Sequence, residues 1–270
     1  MGVLNVTPDS FYDGGRYLDE SSAFARVDQL LADGADIIDI GGESSRPGAP
    51  PVAAAEQLAR IEPALRHALS RGALTSIDTT DPVVAERALS LGAHAVNDIS
   101  CLADSDLARV CARHSATLVL MHSRGPMQHM AGFSNYPDDA YGDVVLDVLT
   151  EWRTARDRAV AQGLLASSVW LDPGIGFAKN ARQSFALLQG LSRFTSEGVP
   201  LVVGASRKSF MAAVDAAPPT ERLGGSIAAA LLAVSSGASV LRVHDVREVR
   251  QALAVARAIE RGLGAEAAHA

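Results

Sequence analysis

Eight times along this chain a short, β-branched apolar run ends in polar residues and gives way to an amphipathic stretch. No other feature limits the fold as strongly. The runs are 2–6, 37–40, 74–77, 95–96, 117–121, 169–171, 201–203 and 240–243. Helical patterns lie between them. One carries Phe24, Val27 and Leu31; another Leu58, Ile61, Leu65 and Leu69; the last Val246, Val249, Leu253 and Ile259. Spacings of three and four put these side chains on one helix face. Pro63 interrupts the second pattern and should kink or divide that helix. Strands that alternate with helices pair in parallel through crossovers. An open, doubly wound sheet satisfies the same alternation as a closed (β/α)8 barrel. The count of eight and the lack of a GxGxxG fingerprint favour the barrel. A length of 270 residues is near that of one such barrel, and no linker or low-complexity segment divides the chain. The expected class is therefore α/β, a single-domain (β/α)8 TIM barrel over residues 1–270, with an Ala-rich tail frayed over about 262–270.

The net charge of −7 argues against a nucleic-acid or membrane-surface binder, because phosphate backbones require basic stripes. It leaves room for one anion in a local basic pocket. The two cysteines, Cys101 and Cys111, have neither CxxC nor zinc-like spacing, so neither a disulfide framework nor a metal knuckle is expected. The first residues turn polar too early for a signal peptide, and no run approaches transmembrane length. A cytoplasmic protein is expected.

The polar residues cluster where a barrel keeps its active site, at the carboxyl ends of the strands. They are Asn5 after the first run, Asp39 with Gly41-Gly42 in the second, Asp78, Asn97-Asp98, His122, Asp172, the stretch Gly204-Ala205-Ser206-Arg207-Lys208-Ser209, and Arg242 with His244. Any one of them could merely cap the next helix. In a closed barrel all of them face one pocket. Asp78, Asn97 and Asp172 suit a flat heterocycle with an amidine-like or guanidine-like edge, whose N–H pairs a carboxylate accepts bidentately. Lys208 can donate to a carbonyl oxygen of that ring. Arg242 and His244 are two apart, on one side of a strand, and form a plausible anion site with diphosphate as the natural candidate. The stretch 204–209 is phosphate-loop-like in composition only; it lacks the Walker spacing. The longest irregular pieces, 7–16, 43–51 and 122–138, follow the first, second and fifth strands on the same face.

These residues match a known family. The chain resembles the dihydropteroate synthases along almost its whole length, through eight stretches in family order. They are Met1-Gly2-Val3-Leu4-Asn5-Val6-Thr7-Pro8-Asp9-Ser10-Phe11, Asp39-Ile40-Gly41-Gly42-Glu43-Ser44-Ser45-Arg46-Pro47-Gly48, Ser76-Ile77-Asp78-Thr79, Asn97-Asp98-Ile99-Ser100, Met121-His122, Asp172-Pro173-Gly174-Ile175-Gly176-Phe177, Gly204-Ala205-Ser206-Arg207-Lys208-Ser209-Phe210 and Arg242-Val243-His244-Asp245-Val246. The resemblance implies a barrel that condenses 6-hydroxymethyl-7,8-dihydropterin diphosphate with para-aminobenzoate, releasing diphosphate. It further implies that Asp78, Asn97, Met121, Asp172, Gly204, Lys208 and Arg242 hold the pterin. Arg242, His244 and Asn5 would meet the diphosphate, with Asn5 binding Mg2+. Ser45, Arg46, Pro47 and Phe177 would frame the aminobenzoate, and Ser209, at the start of a helix, would meet its carboxylate. Asp78, Asp172, Lys208, Arg242 and His244 would be the catalytic set, with no protein nucleophile. Sulfonamides would compete as aminobenzoate mimics, and the family forms homodimers.

The chain departs from the usual family pattern at Tyr12, at Cys101-Leu102 where Gly is common, at Asn180, and at Gln183-Ser184. Two other readings fit less well. A methyltetrahydrofolate-binding barrel of a corrinoid methyltransferase would not need Ser44-Ser45-Arg46-Pro47, Arg207-Lys208-Ser209 or Arg242-Val243-His244. A non-catalytic pterin-binding paralogue should have lost part of a site that is here whole.

Overall fold

Each apolar run forms a parallel strand, and each strand is followed by a helix. In the computed structural model, which describes residues 1–7, 20–44, 48–125 and 134–261, the strands are β1 Gly2–Asn5, β2 Ile37–Gly41, β3 Leu74–Asp78, β4 Ala95–Asp98, β5 Thr117–Met121, β6 Val169–Asp172, β7 Val202–Val203 and β8 Val240–Leu241. The helices are α1 Glu20–Ala32, α2 Ala54–Ser70, α3 Pro82–Ser90, α4 Asp106–Arg113, α5 Val144–Ala161, α6 Ala181–Gln189, α7 Leu223–Ser235 and α8 Val246–Arg261. Strands β1 to β6 pair in sequence order, and β7 pairs with β8. Two single bridges join these sheets into a ring. Leu171 pairs with Leu201, and Gly2 pairs with Val243. The second junction carries the hydrogen-bond pair of one parallel bridge: Val3 N–H donates to the Val243 carbonyl at 3.0 Å, and Val243 N–H donates to the Met1 carbonyl at 3.0 Å. The ring of eight is the closed barrel expected from the alternation.

Strand period and register decide what faces inward. Side chains two apart share a face. Met1, Val119 and Val202 pack with Ile37, Trp170 and Val240 in a small cluster of their own, inside the ring. The same parity continues along those strands to Asn5, Asp39, Met121, Asp172, Gly204 and Arg242, and register places Gly41 beside both Asn5 and Asp78, and Asp78 beside Asn97. The apolar plug thus sits below and the polar residues above. The opposite faces carry Leu4, Ile38, Ile40, Ile77, Val96, Leu118, Leu120 and Leu171, all at most 1% exposed, against the helices. Strands buried on both faces read as near-continuous apolar runs.

Local signals fix the helix starts. Asp81 caps α3, accepting from Val83 N–H at 2.7 Å, with Pro82 at the first helical position. Asp143 caps α5 by accepting from the Val145 and Leu146 N–H groups. Asn180 and Gln183, two of the family departures, make a reciprocal capping box on α6. Cys101 and Leu102 stand at φ of 60° and 56°. That is the left-handed region, which accounts for glycine being the common residue there. Two expectations are corrected. Pro63 does not divide α2, which runs through it as one helix from Ala54 to Ser70. Ser209 opens a 3₁₀ turn of five residues, Ser209–Ala213, and not an α-helix. The tail 262–270 and the loop residues 8–19, 45–47 and 126–133 lie outside the described residues.

Candidate active site

The strand ends assemble a pocket floor of three acids around one guanidinium. Arg242, just past β8, donates from Nε to Asp39 Oδ2 at 2.6 Å and from Nη2 to Asp78 Oδ2 at 2.6 Å. Asn97 on β4 donates from Nδ2 to the same Asp39 oxygen at 3.3 Å. The other oxygen of Asp39, Oδ1, is buried without a partner among the described residues. Sequence reading marked Asp39 as a strand-end acid but gave it no role. Its role is structural and electrostatic: it anchors Arg242. Burial pushes the Asp78 carboxyl up; Arg242 opposes the rise, and Asp39, Asp98 and Glu43 add to it.

The other side of the floor comes from β6 and β7. Asp172 Oδ1 accepts from Gly174 N–H at 2.7 Å. A Cβ on Gly204 would lie 3.8 Å from each of Asp172 Oδ2, Lys208 Nζ and Arg242 Cβ, so a bare backbone keeps open the space where these three meet. Lys208 Nζ donates to the Ile175 carbonyl at 2.6 Å and lies 4.4 Å from the centre of the Phe177 ring. Burial lowers the Lys208 ammonium to about 8 against the attraction of Asp172, and burial raises the Asp172 carboxyl against the pull of Lys208. Met121 is buried at the end of β5, one register step from Asp172.

His244 sits apart from the Arg242 guanidinium contacts. Its Nδ1 lies 3.0 Å from Ser206 Oγ, and its backbone N–H donates to the same oxygen at 3.2 Å. Burial, then Arg242 and Arg207, lowers His244 to about 4. It is therefore neutral near pH 7 and offers hydrogen bonds and not a second positive charge. Arg207 is likewise spent on structure: its guanidinium pairs with Asp245, and its backbone, at φ 58°, is held by Ser226 Oγ accepting from its N–H at 2.8 Å. The left-handed turn at Arg207 sends Arg207 and Lys208 in different directions.

Of the aminobenzoate residues, Phe177 is buried beside Lys208, and Ser209 Oγ meets Ser134 Oγ at 2.9 Å. Ser45, Arg46 and Pro47 lie outside the described residues. Asn5 is exposed at the rim, with its Oδ1 3.6 Å from where a Gly41 Cβ would stand. Among the described residues no group of three or more His, Cys, Asp or Glu side chains could hold a metal, and no helix is long and apolar enough to cross a membrane.

What this arrangement can do is bind a planar, polar ring. Two carboxylates, an amide and an ammonium come together at the carboxyl ends of parallel strands. Comparison with known proteins gives the same answer independently. A family model described as pterin binding enzyme matches residues 1–244. A dihydropteroate synthase of Synechocystis is 42% identical over 266 residues, spanning 97% of this chain and 90% of that protein. Among solved structures, the Xanthomonas albilineans dihydropteroate synthase with 4-aminobenzoic acid superposes with a TM-score of 0.88 at 36% identity, covering 96% of this chain and 92% of that one. The Yersinia pestis dihydropteroate synthase in a sulfonamide drug complex gives 0.87 at 36% identity, covering 96% and 93%. The chain belongs to the dihydropteroate synthase family of pterin-binding enzymes.

Proposed function

We propose that the chain condenses 6-hydroxymethyl-7,8-dihydropterin diphosphate with para-aminobenzoate, giving 7,8-dihydropteroate and diphosphate in folate biosynthesis, and that sulfonamides compete for its aminobenzoate site. The observation that carries this reading is the convergence of Asp78, Asn97, Asp172 and Lys208 on one floor with Arg242 between the acids. Asp172 and Asp78 accept from the N–H groups of the pterin, Asn97 adds an amide, and Lys208 donates to its carbonyl oxygen. The pterin's donor edge competes with Arg242 Nη2 for Asp78. Asp39 keeps the Nε bond meanwhile, so the guanidinium turns outward without being lost, toward the leaving group.

The bond that breaks joins the pterin methylene carbon to the ester oxygen of the diphosphate, and the electron pair leaves on that oxygen. The new bond joins that carbon to the arylamine nitrogen, which gives up a proton to the medium. Arg242 meets the charge on the departing oxygen, and His244 donates a hydrogen bond as a neutral ring. The ionised acids offset positive charge developing at the methylene. Asn5, with a single amide oxygen at the rim, suits a magnesium ion whose other ligands are water and diphosphate, and such an ion when bound supplies further charge against the leaving group. Phe177 and Ser209, with the loop residues Ser45, Arg46 and Pro47, hold the aminobenzoate. We place the enzyme in the cytoplasm, in keeping with its free Cys101 and Cys111.

The test is diphosphate release from purified protein given both substrates and Mg2+, with dihydropteroate followed in the same tubes. Matched release and product are expected. Release without product would mean a different amine; no release would end the proposal. Asp78→Asn and Asp172→Asn should each lower kcat/KM by about 100-fold or more while the protein stays folded.

A further inference from the structure

Behind the pocket runs a line of buried polar side chains that the chemistry above does not use. Lys179, two residues past Phe177, is fully buried at 0% exposure. Its Nζ donates to the Phe177 carbonyl at 2.9 Å, meets His122 Nδ1 at 3.0 Å and reaches the His122 carbonyl at 3.4 Å. An ammonium has three donors and no acceptor, so three acceptors match it. The other ring nitrogen of His122, Nε2, lies 3.0 Å from Glu151 Oε2. A carboxylate there places the ring proton on Nε2 and leaves Nδ1 to accept from Lys179. Arg124 holds Glu151 from the far side and lies 3.8 Å over the Tyr141 ring, and the Tyr141 hydroxyl donates to the Ala178 carbonyl at 2.9 Å. None of the three Lys179 partners is a carboxylate. Burial lowers the Lys179 ammonium to about 7 against the attraction of Asp172, and a buried amine whose direct hydrogen bonds all go to neutral groups is an expensive thing for a protein to keep.

What the network supports is the turn between β6 and α6. Gly174, Gly176 and Ala178 all stand in the left-handed region, at φ of 68°, 81° and 47°. For Ala178 that conformation is strained, and such backbone persists only where its surroundings over-determine it. Lys208 grips the turn from the pocket side through the Ile175 carbonyl. Lys179 and Tyr141 grip it from behind through the carbonyls of Phe177 and Ala178. The packing is direct: a Cβ on Gly174 would lie 1.9 Å from the His122 carbonyl oxygen and 3.3 Å from Lys179 Nζ.

We infer that Lys179, oriented by His122 and Glu151, is a positioning residue that fixes the Phe177 turn and through it the affinity for the amine substrate. It touches neither substrate. The inference rests on the reading of Phe177 as part of the aminobenzoate pocket, and its test separates the two.

Steady-state kinetics with each substrate varied in turn decide it. Lys179→Met should raise KM for para-aminobenzoate about tenfold or more, with KM for the pterin diphosphate changed by less than about twofold, since displacing a positioning contact misplaces what it orients. A loss of folded enzyme would instead lower kcat and leave both KM values in place. In the folded variant, two unchanged KM values, or an equal rise in both, overturn the inference. Glu151→Gln loosens His122 from a side chain that is 37% exposed and should give the same selective rise, smaller. If Lys179→Met does not fold, Glu151→Gln decides alone, and an unchanged aminobenzoate KM overturns the inference. Phe177→Ala is the control. If it raises that KM while Lys179→Met and Glu151→Gln do not, only the positioning role falls. If Phe177→Ala is silent, the placement of the amine falls and the inference with it.

Discussion

Arg242 shows how one side chain sets the working pH of another. It lies between Asp39 and Asp78, and the Asp78 carboxyl is pushed up by burial and by Asp39 while Arg242 holds it down. Pterin binding requires Asp78 as a carboxylate, so activity should fall on the acid side as Asp78 gains its proton. Asp39→Asn removes a neighbouring negative charge and frees Arg242 to serve Asp78 alone. Both effects favour the ionised form. The acid limb of kcat/KM for the pterin diphosphate should therefore move to lower pH in this variant, with the alkaline limb unchanged. An unmoved acid limb would take Asp39 out of the electrostatics of the site. The strand-end acids themselves were legible in the sequence, because a run of period two that ends in Asp or Asn places it at the mouth of a barrel. The pairing was not legible. Asp39 and Arg242 are 203 residues apart and meet only because β8 closes against β1. Nor did strand or helix periodicity mark the burial of Lys179, which follows from a left-handed turn folding back on β5.

At the scale of elements, β5, β6 and the turn after β6 depend on a histidine that must stay uncharged. Burial, then Lys179, lowers His122 from 6.5 to about 4, against the pull of Glu151. The unfolded chain takes up this proton at higher pH than the folded protein does. The His122 contribution to stability should thus be full above about 6.5 and be lost as pH falls toward about 4, by up to about 3 kcal/mol. Below that, both states are protonated and the loss levels off. His244, lowered similarly, adds to the same window. The raised Asp78, Asp98 and Asp172 carboxyls act in the opposite sense, so the His122 contribution is read as the difference between wild type and a His122 variant. Denaturant unfolding at pH 7 and pH 5 measures the difference, and His122→Gln, which can still accept from Lys179 and donate to Glu151, should show a smaller drop. An equal drop in the variant would assign the loss elsewhere. Strand positions were legible to within a residue or two, since β-branched runs mark them. The shortness of β7 and β8, two residues each, was not, because closure there depends on single bridges and not on a full ladder. Pro63 misled for a related reason: a rule about isolated helices yields to packing when the apolar face is already committed to the barrel.

For the whole molecule, helices that ring a barrel should turn charge outward, and α6 and α7 do so incompletely. Phe185 on α6 is 38% exposed and Leu232 on α7 46%, and with Val214, 79% exposed in the segment between the two helices, they line one groove with Phe210 and Met211. Apolar groups left in water together are the mark of a surface that something covers. A second copy of this chain is the occupant we propose, in accord with the homodimer that the family resemblance implies. The groove is lined by apolar side chains and also by Arg182, Arg222, Asp215 and Glu221, so it carries both signs of charge, as suits a self-complementary interface. Sedimentation velocity should find the wild-type protein as a dimer. Leu232→Glu would bury two like charges near a two-fold axis and should weaken association by about 100-fold or more, shifting the protein to monomer at micromolar concentration. Leu232 lies on the outer helix layer and has no part in the pocket, so turnover per chain should persist in the monomer. A wild-type protein that sediments as a monomer, or a Leu232→Glu variant that remains dimeric, would place the interface elsewhere and leave this apolar groove without its second copy.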